Sequence, residues 1–126
     1  MYRKDTLANG IRVVSETLPK SRSISLGVWV KIGSRHEPKE ISGVSHFLEH
    51  MFFKGTQKRT ARDIATEIDS LGGEMNAFTS QESTTFYVKV LDEHLPNAVE
   101  ILADILLGSK FTPADMEKER KVILEE

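Results

Sequence analysis

The stretch His46-Phe47-Leu48-Glu49-His50 brings two imidazoles and a carboxylate into one pentapeptide, and holds two of the chain's four histidines. On a helix, at about 100° per residue, His46, Glu49, His50 and Phe53 share one side. Val44, Phe47, Leu48, Met51 and Phe52 share the other, with the i, i+3, i+4, i+7 spacing of a core-facing stripe. Two histidines four apart stand one turn apart and can grip a single metal ion. A glutamate between them can then act on water at that ion. The competing reading is a solvated polar face, although such faces are usually built from Lys, Glu and Arg. Satisfied core histidines fit poorly, because both rings lie opposite the apolar stripe.

Two imidazoles call for a further ligand. The chain has no cysteine, so any metal must be held by His, Asp or Glu. Thr112-Pro113 opens a last helix, with threonine as cap and proline at the first helical position. Met116 and Ile123 mark its apolar side. Glu119 and Glu126, with Val122 between them, run along the edge of that side, whereas Glu125 points away with Lys118 and Lys121. A carboxylate bordering a core needs a partner, since burying an unpaired charge is costly. Glu126 is therefore the better ligand candidate and Glu125 the better solvated residue. Simple ion pairing is the alternative for Glu119 and Glu126. His36 falls in a polar loop with no fixed spacing to the pentapeptide and is expected at the surface.

The elements that must position these groups follow from periodicity. Residues 2–7 and 11–16 form two strands around Asn9-Gly10, a hairpin signal in which both residues tolerate positive φ. In residues 23–32, Ile24, Leu26, Val28, Val30 and Ile32 alternate with Ser23, Ser25, Gly27, Trp29 and Lys31, the pattern of a half-buried strand. The pentapeptide helix is expected over 42–54, after a polar loop at 33–41. A capping-box-like start at Thr60-Ala61-Arg62-Asp63 opens a helix with Ala61, Ile64, Ala65, Ile68 and Leu71 as its stripe, stopped by Gly72-Gly73. Residues 74–79 and 84–91 form a second hairpin. Asp92 caps a helix to about residue 107, with Pro96 tolerable in its first turn and Leu95, Ala98, Val99, Leu102, Ile105 and Leu106 as its buried face. The order of elements predicts an α+β fold, with helices packed on one face of a mainly antiparallel sheet.

Composition narrows the function classes. The 126 residues suit one domain; 39% are hydrophobic and 29% charged, with a net charge of −2. No basic block points to nucleic acid, and no apolar span points to a membrane. The absence of a signal-like N-terminal segment and of cysteine leads to a cytoplasmic expectation.

Four stretches together resemble the pitrilysin/insulinase family of zinc metallopeptidases, the inverzincins, in which H-x-x-E-H inverts H-E-x-x-H. They are Leu7-Ala8-Asn9-Gly10-Ile11-Arg12-Val13-Val14, Gly43-Val44-Ser45-His46-Phe47-Leu48-Glu49-His50-Met51, Gly72-Gly73-Glu74-Met75-Asn76-Ala77-Phe78-Thr79-Ser80 and Glu119-Arg120-Lys121-Val122-Ile123-Leu124-Glu125-Glu126. The resemblance is to the processing-peptidase-like members and implies their metallohydrolase fold. It implies Zn2+ as cofactor, His46, His50 and Glu126 as ligands, Glu49 as general base, and Glu119 as a catalytic-site carboxylate orienting a ligand imidazole. It also matches Asn76, Ala77 and Phe78 to an edge strand that binds a peptide or unfolded polypeptide by strand addition; an ordinary hairpin strand is the alternative. Members of the family have two homologous units. The resemblance therefore implies that residues 1–126 are the N-terminal part of one catalytic domain, lacking the second homologous domain or partner subunit and weak or inactive alone. The expected activity is zinc-dependent endopeptidase, with a non-catalytic peptide-binding or assembly subunit as the alternative.

Overall fold

Phe86, Val88 and Val90 alternate with Thr85, Tyr87 and Lys89, which gives a strand one apolar face. In the structure, a computed structural model describing residues 2–126, this strand is the centre of the fold. It is β5 (Thr84–Leu91), flanked by β3 (Ser23–Val30) and β4 (Glu74–Thr79) in the order β3-β5-β4, both pairings antiparallel. β1 (Tyr2–Thr6) and β2 (Arg12–Glu16) form a separate two-stranded antiparallel sheet. The helices are α1 (Val44–Met51), α2 (Ala61–Ser70), α3 (Leu95–Gly108) and α4 (Pro113–Leu124). The α+β class with antiparallel sheets is as expected.

Phe86, Val88, Val90 and Ala77 from one sheet face meet Ile64 and Ile68 of α2 and Ala98, Ile101, Leu102 and Ile105 of α3 in one buried cluster. Fully burying each Val, Leu, Ile or Phe side chain there contributes about 1.5–3 kcal/mol. On the opposite face Trp29 is 68% and Phe78 49% exposed. Among the described residues no helix is long and apolar enough to cross a membrane.

Several expectations need correction. Only Gly10 of the Asn9-Gly10 pair takes a positive φ, and the first paired residues are Thr6 and Arg12, so the connection is a wider loop closed by Leu7 N–H to the Ile11 carbonyl at 2.8 Å. β3 ends at Val30, and Val30 and Ile32 are exposed. The pentapeptide helix is shorter than periodicity suggested: Gly43, at φ +91°, ends the chain's approach in a left-handed conformation, and Phe52 closes the helix. Leu48, placed on the apolar stripe, is exposed. Phe53, placed beside the histidines, packs on the core instead, because it lies past the last helical residue and no longer follows the helix period. In α2 the burial falls on Ile64 and Ile68 while Ala61 and Ala65 are exposed; in α3 Ile101 replaces Val99 in the core.

Candidate metal centre

The position of α1 is fixed at both ends. Gly43 provides no side chain to cap the helix, and Glu37, from the preceding loop, takes that role: its carboxylate accepts the N–H of Gly43 at 2.8 Å and of Ser45 at 2.6 Å. Those two backbone hydrogen bonds hold the Glu37 carboxyl below its ordinary range. At the other end the Phe52 ring meets Phe86 edge-on at 5.2 Å and Phe111 at 5.6 Å, tying the helix to β5 and to the α3–α4 connection.

A second device brings α4 beside α1. The loop after α1 pairs with the end of α3 through Gln57 N–H to the Gly108 carbonyl at 3.0 Å and Lys110 N–H to the Gly55 carbonyl at 2.9 Å. Beneath it Asp104 accepts from Thr56 Oγ1 at 2.6 Å and from Arg59 at 2.8 Å, and Arg59 also pairs with Glu67 and Glu100. Burial pushes the Asp104 carboxyl up, but the Thr56 and Arg59 hydrogen bonds outweigh it and the net shift is downward. This clip fixes where α4 begins.

α4 then delivers Glu119 to the histidines, while Glu126, expected along the same helix edge, lies past the last helical residue, Leu124. Glu119, placed by sequence along a helix edge, is 4% exposed. Its Oε1 lies 2.6 Å from His50 Nδ1 and its Oε2 lies 2.8 Å from Lys54 Nζ. Burial opposes ionisation of Glu119, yet the hydrogen bonds from Lys54 and His50 more than offset it and lower the pKa. An ionised carboxylate only accepts, so the proton of a neutral His50 ring sits on Nδ1 and Nε2 carries the lone pair. That Nε2 is 2.9 Å from His46 Nε2 and 3.8 Å from Glu126 Oε2, and His46 Nε2 is 3.3 Å from the same oxygen. Bonds of about 2.0–2.1 Å to a tetrahedral zinc separate neighbouring ligands by about 3.3 Å, the scale of this triangle. The donor set, two imidazoles and a carboxylate, also suits zinc. Glu125 is exposed, as expected, and His36 is an exposed loop residue whose Nδ1 accepts the Gly33 N–H at 3.0 Å.

Glu49 lies on the histidine side of α1 and accepts a hydrogen bond from Thr79 Oγ1 at 2.5 Å. Thr79 ends β4, which pairs with β5 on one side and, among the described residues, has no strand on its other edge. Asn76, Ala77 and Phe78 occupy that strand; Asn76 and Phe78 are exposed, Ala77 is buried, and the Ala77 N–H is held by the Asn76 side-chain carbonyl at 2.8 Å. Sequence reasoning had missed Lys54, Thr79 and Glu37. Lys54 follows His50 by four residues, the one local cue; Thr79 and Glu37 gave none.

A family model described as insulinase (peptidase family M16) matches residues 12–126. The uncharacterized zinc protease YmxG of Bacillus subtilis is 52% identical over 126 residues, all of this chain and 31% of the relative. A probable mitochondrial-processing peptidase subunit beta of Arabidopsis thaliana is 49% identical over 124 residues, 98% of this chain and 23% of the relative. The crystal structure of a protease from Helicobacter pylori superposes with a TM-score of 0.93 at 32% identity, covering 99% of this chain and 30% of that one. The chain thus spans less than a third of the length of each of these proteins. With a family match running from Arg12 to the last residue, the chain belongs to the insulinase family of peptidases, family M16.

Proposed function

We propose that residues 1–126 carry the catalytic centre of a zinc-dependent endopeptidase acting on extended peptides or unfolded polypeptides. The observation that supports it most is the convergence of His46 Nε2 and His50 Nε2 from α1 with an oxygen of Glu126, just past the end of α4, all within 4.8 Å of one another. His46, His50 and Glu126 would hold the metal, and Glu119 keeps His50 in its ligating tautomer. A zinc ion bound there would supply Lewis acidity, lowering the pKa of water toward about 7 and polarising a carbonyl. Glu49 takes the proton of the attacking water and delivers it to the leaving amine. The free edge of β4, at Asn76, Ala77 and Phe78, aligns the peptide by adding it as a further strand.

The names of the relatives support zinc and peptide hydrolysis. The full activity belongs to a longer protein in which a second homologous unit or partner subunit completes the substrate site. The test uses the longest natural chain containing these residues. Glu49→Gln is expected to retain zinc while peptide hydrolysis falls by about 10²- to 10⁴-fold. Near-normal turnover in that variant removes Glu49 from the base role.

A further inference from the structure

The geometry points to Thr79 as the positioning residue of the general base: its hydroxyl fixes the Glu49 carboxylate to the end of the peptide-binding strand. The inference rests on the peptidase reading above and deepens it.

Glu49 lies on α1 and Thr79 on β4, thirty residues apart in the chain, and their contact is the hydrogen bond from Thr79 Oγ1 to Glu49 Oε2. That bond occupies one oxygen of the carboxylate. Glu49 Oε1 has no partner among the described residues and is left to receive a proton. A lone carboxylate on a helix rotates among staggered side-chain wells; a hydroxyl from a neighbouring element selects one of them.

The strand that carries this hydroxyl is itself anchored to α1. Thr79 pairs with Thr84 across the β4–β5 hairpin, and the Thr84 hydroxyl donates to the Ile32 carbonyl at 2.8 Å. At the hairpin tip the carbonyls of Ser80 and Gln81 accept the N–H groups of Ser34 and Arg35 at 3.0 and 3.1 Å. Gly33 sits so close that a Cβ there would fall 2.3 Å from the Ser80 oxygen. The same short segment continues to Glu37, which caps α1. Strand, tip, segment and helix form a closed frame, and the Thr79–Glu49 bond crosses it at the catalytic side. Phe78 precedes Thr79 by one peptide unit, so a peptide registered on β4 is registered against the base as well. Productive geometry at a reacting centre is worth about 10²-fold per ångström of misplacement, and this bond is the contact that holds it.

The experiment compares Thr79→Val and Thr79→Ser in the longest natural chain containing these residues, loaded with zinc. Valine keeps the β-branched shape that strands favour and removes the hydroxyl. Thr79→Val is expected to lower kcat about 10- to 100-fold with KM nearly unchanged, and Thr79→Ser to recover most of the loss. Two readouts besides turnover separate positioning from a merely structural role. Zinc affinity is expected to stay at the wild-type value in Thr79→Val. The affinity for an intact peptide, measured in a Glu49→Gln background where cleavage is suppressed, is expected to stay the same with and without the valine. The proposal is overturned if an active wild type tolerates Thr79→Val without loss of kcat, or if serine fails to restore it. A fall in zinc or peptide affinity that accounts for the loss overturns it too. A zinc-loaded wild type that cleaves no peptide overturns the peptidase reading and this one together, and is distinguishable because the loss then precedes any substitution.

Discussion

His50 is placed by contacts on both ring nitrogens: Nδ1 at 2.6 Å from Glu119 and Nε2 at 2.9 Å from His46. Removing the charge from Glu119 alters both sides, because an amide can donate as well as accept and no longer dictates the tautomer. Glu119→Gln is therefore expected to weaken zinc binding about 10- to 100-fold, measured by competition with a chelator; an unchanged affinity would show that His50 needs no partner. Lys54 belongs to the same array and carries the positive charge that faces the buried carboxylate at 2.8 Å. At this scale His46, Glu49 and His50 were legible because helical spacing alone puts them on one side. Glu125 is solvated as read, whereas Glu126, read as bordering an apolar edge, is also exposed and lies past the end of α4. Helix spacing marked Glu119 as an edge acid in need of a partner but named none, because Lys54 and His50 lie far from it in sequence. No periodicity encodes a contact between distant side chains, which is also why Thr79 went unnoticed.

Elements hold these residues through their ends. α1 has only eight residues, short enough that its stability depends on capping and tertiary contacts rather than propensity. Glu37→Gln removes the charge at its N-terminus, and both the urea midpoint and the zinc affinity of the variant are expected to fall below wild type. Gly33→Ala forces the 33–35 turn away from the Ser80 and Gln81 backbone, so it is expected to destabilise the hairpin tip as well. The clip under the α1–α2 loop makes a pH prediction. Asp104 and Glu119 have lowered folded pKa values, so the stability they contribute is fully present above their unfolded values near about 4 and is lost as pH falls through the folded ones. Asp104→Asn is expected to cost about 2–3 kcal/mol at neutral pH and to flatten the acid limb of stability, read from urea midpoints at pH about 7 and about 3.5. Equal acid sensitivity in wild type and variant would contradict that assignment. The hairpins and four helices were readable because periods of 2 and 3.6 are local signals. The ends of α1 and the swap of Val99 for Ile101 were not, because they depend on which neighbour reaches the element.

On the scale of the whole molecule, order is concentrated around β5. Every described residue of β1 and β2 is exposed, whereas Phe86, Val88 and Ile105 are at most 2% exposed. A two-stranded hairpin without a covered face is marginal in water. Hydrogen exchange on these 126 residues is expected to be fastest across 2–16 and slowest across 84–91 and 98–105; uniform protection would contradict this hierarchy. The α+β architecture could be derived from the order of elements, but the separation of β1–β2 from the main sheet could not, since alternation says that a strand forms and not what it pairs with. The account as a whole stands on the proposal that the histidines of α1 and the carboxylate just past α4 hold one cation. The most direct measurement is anomalous diffraction at the zinc edge from crystals of the longest natural chain containing these residues. The predicted result is a single strong peak at about 2.0–2.2 Å from His46 Nε2, His50 Nε2 and a Glu126 oxygen. A zinc-soaked crystal with no peak there, or with the peak on other side chains, would contradict it.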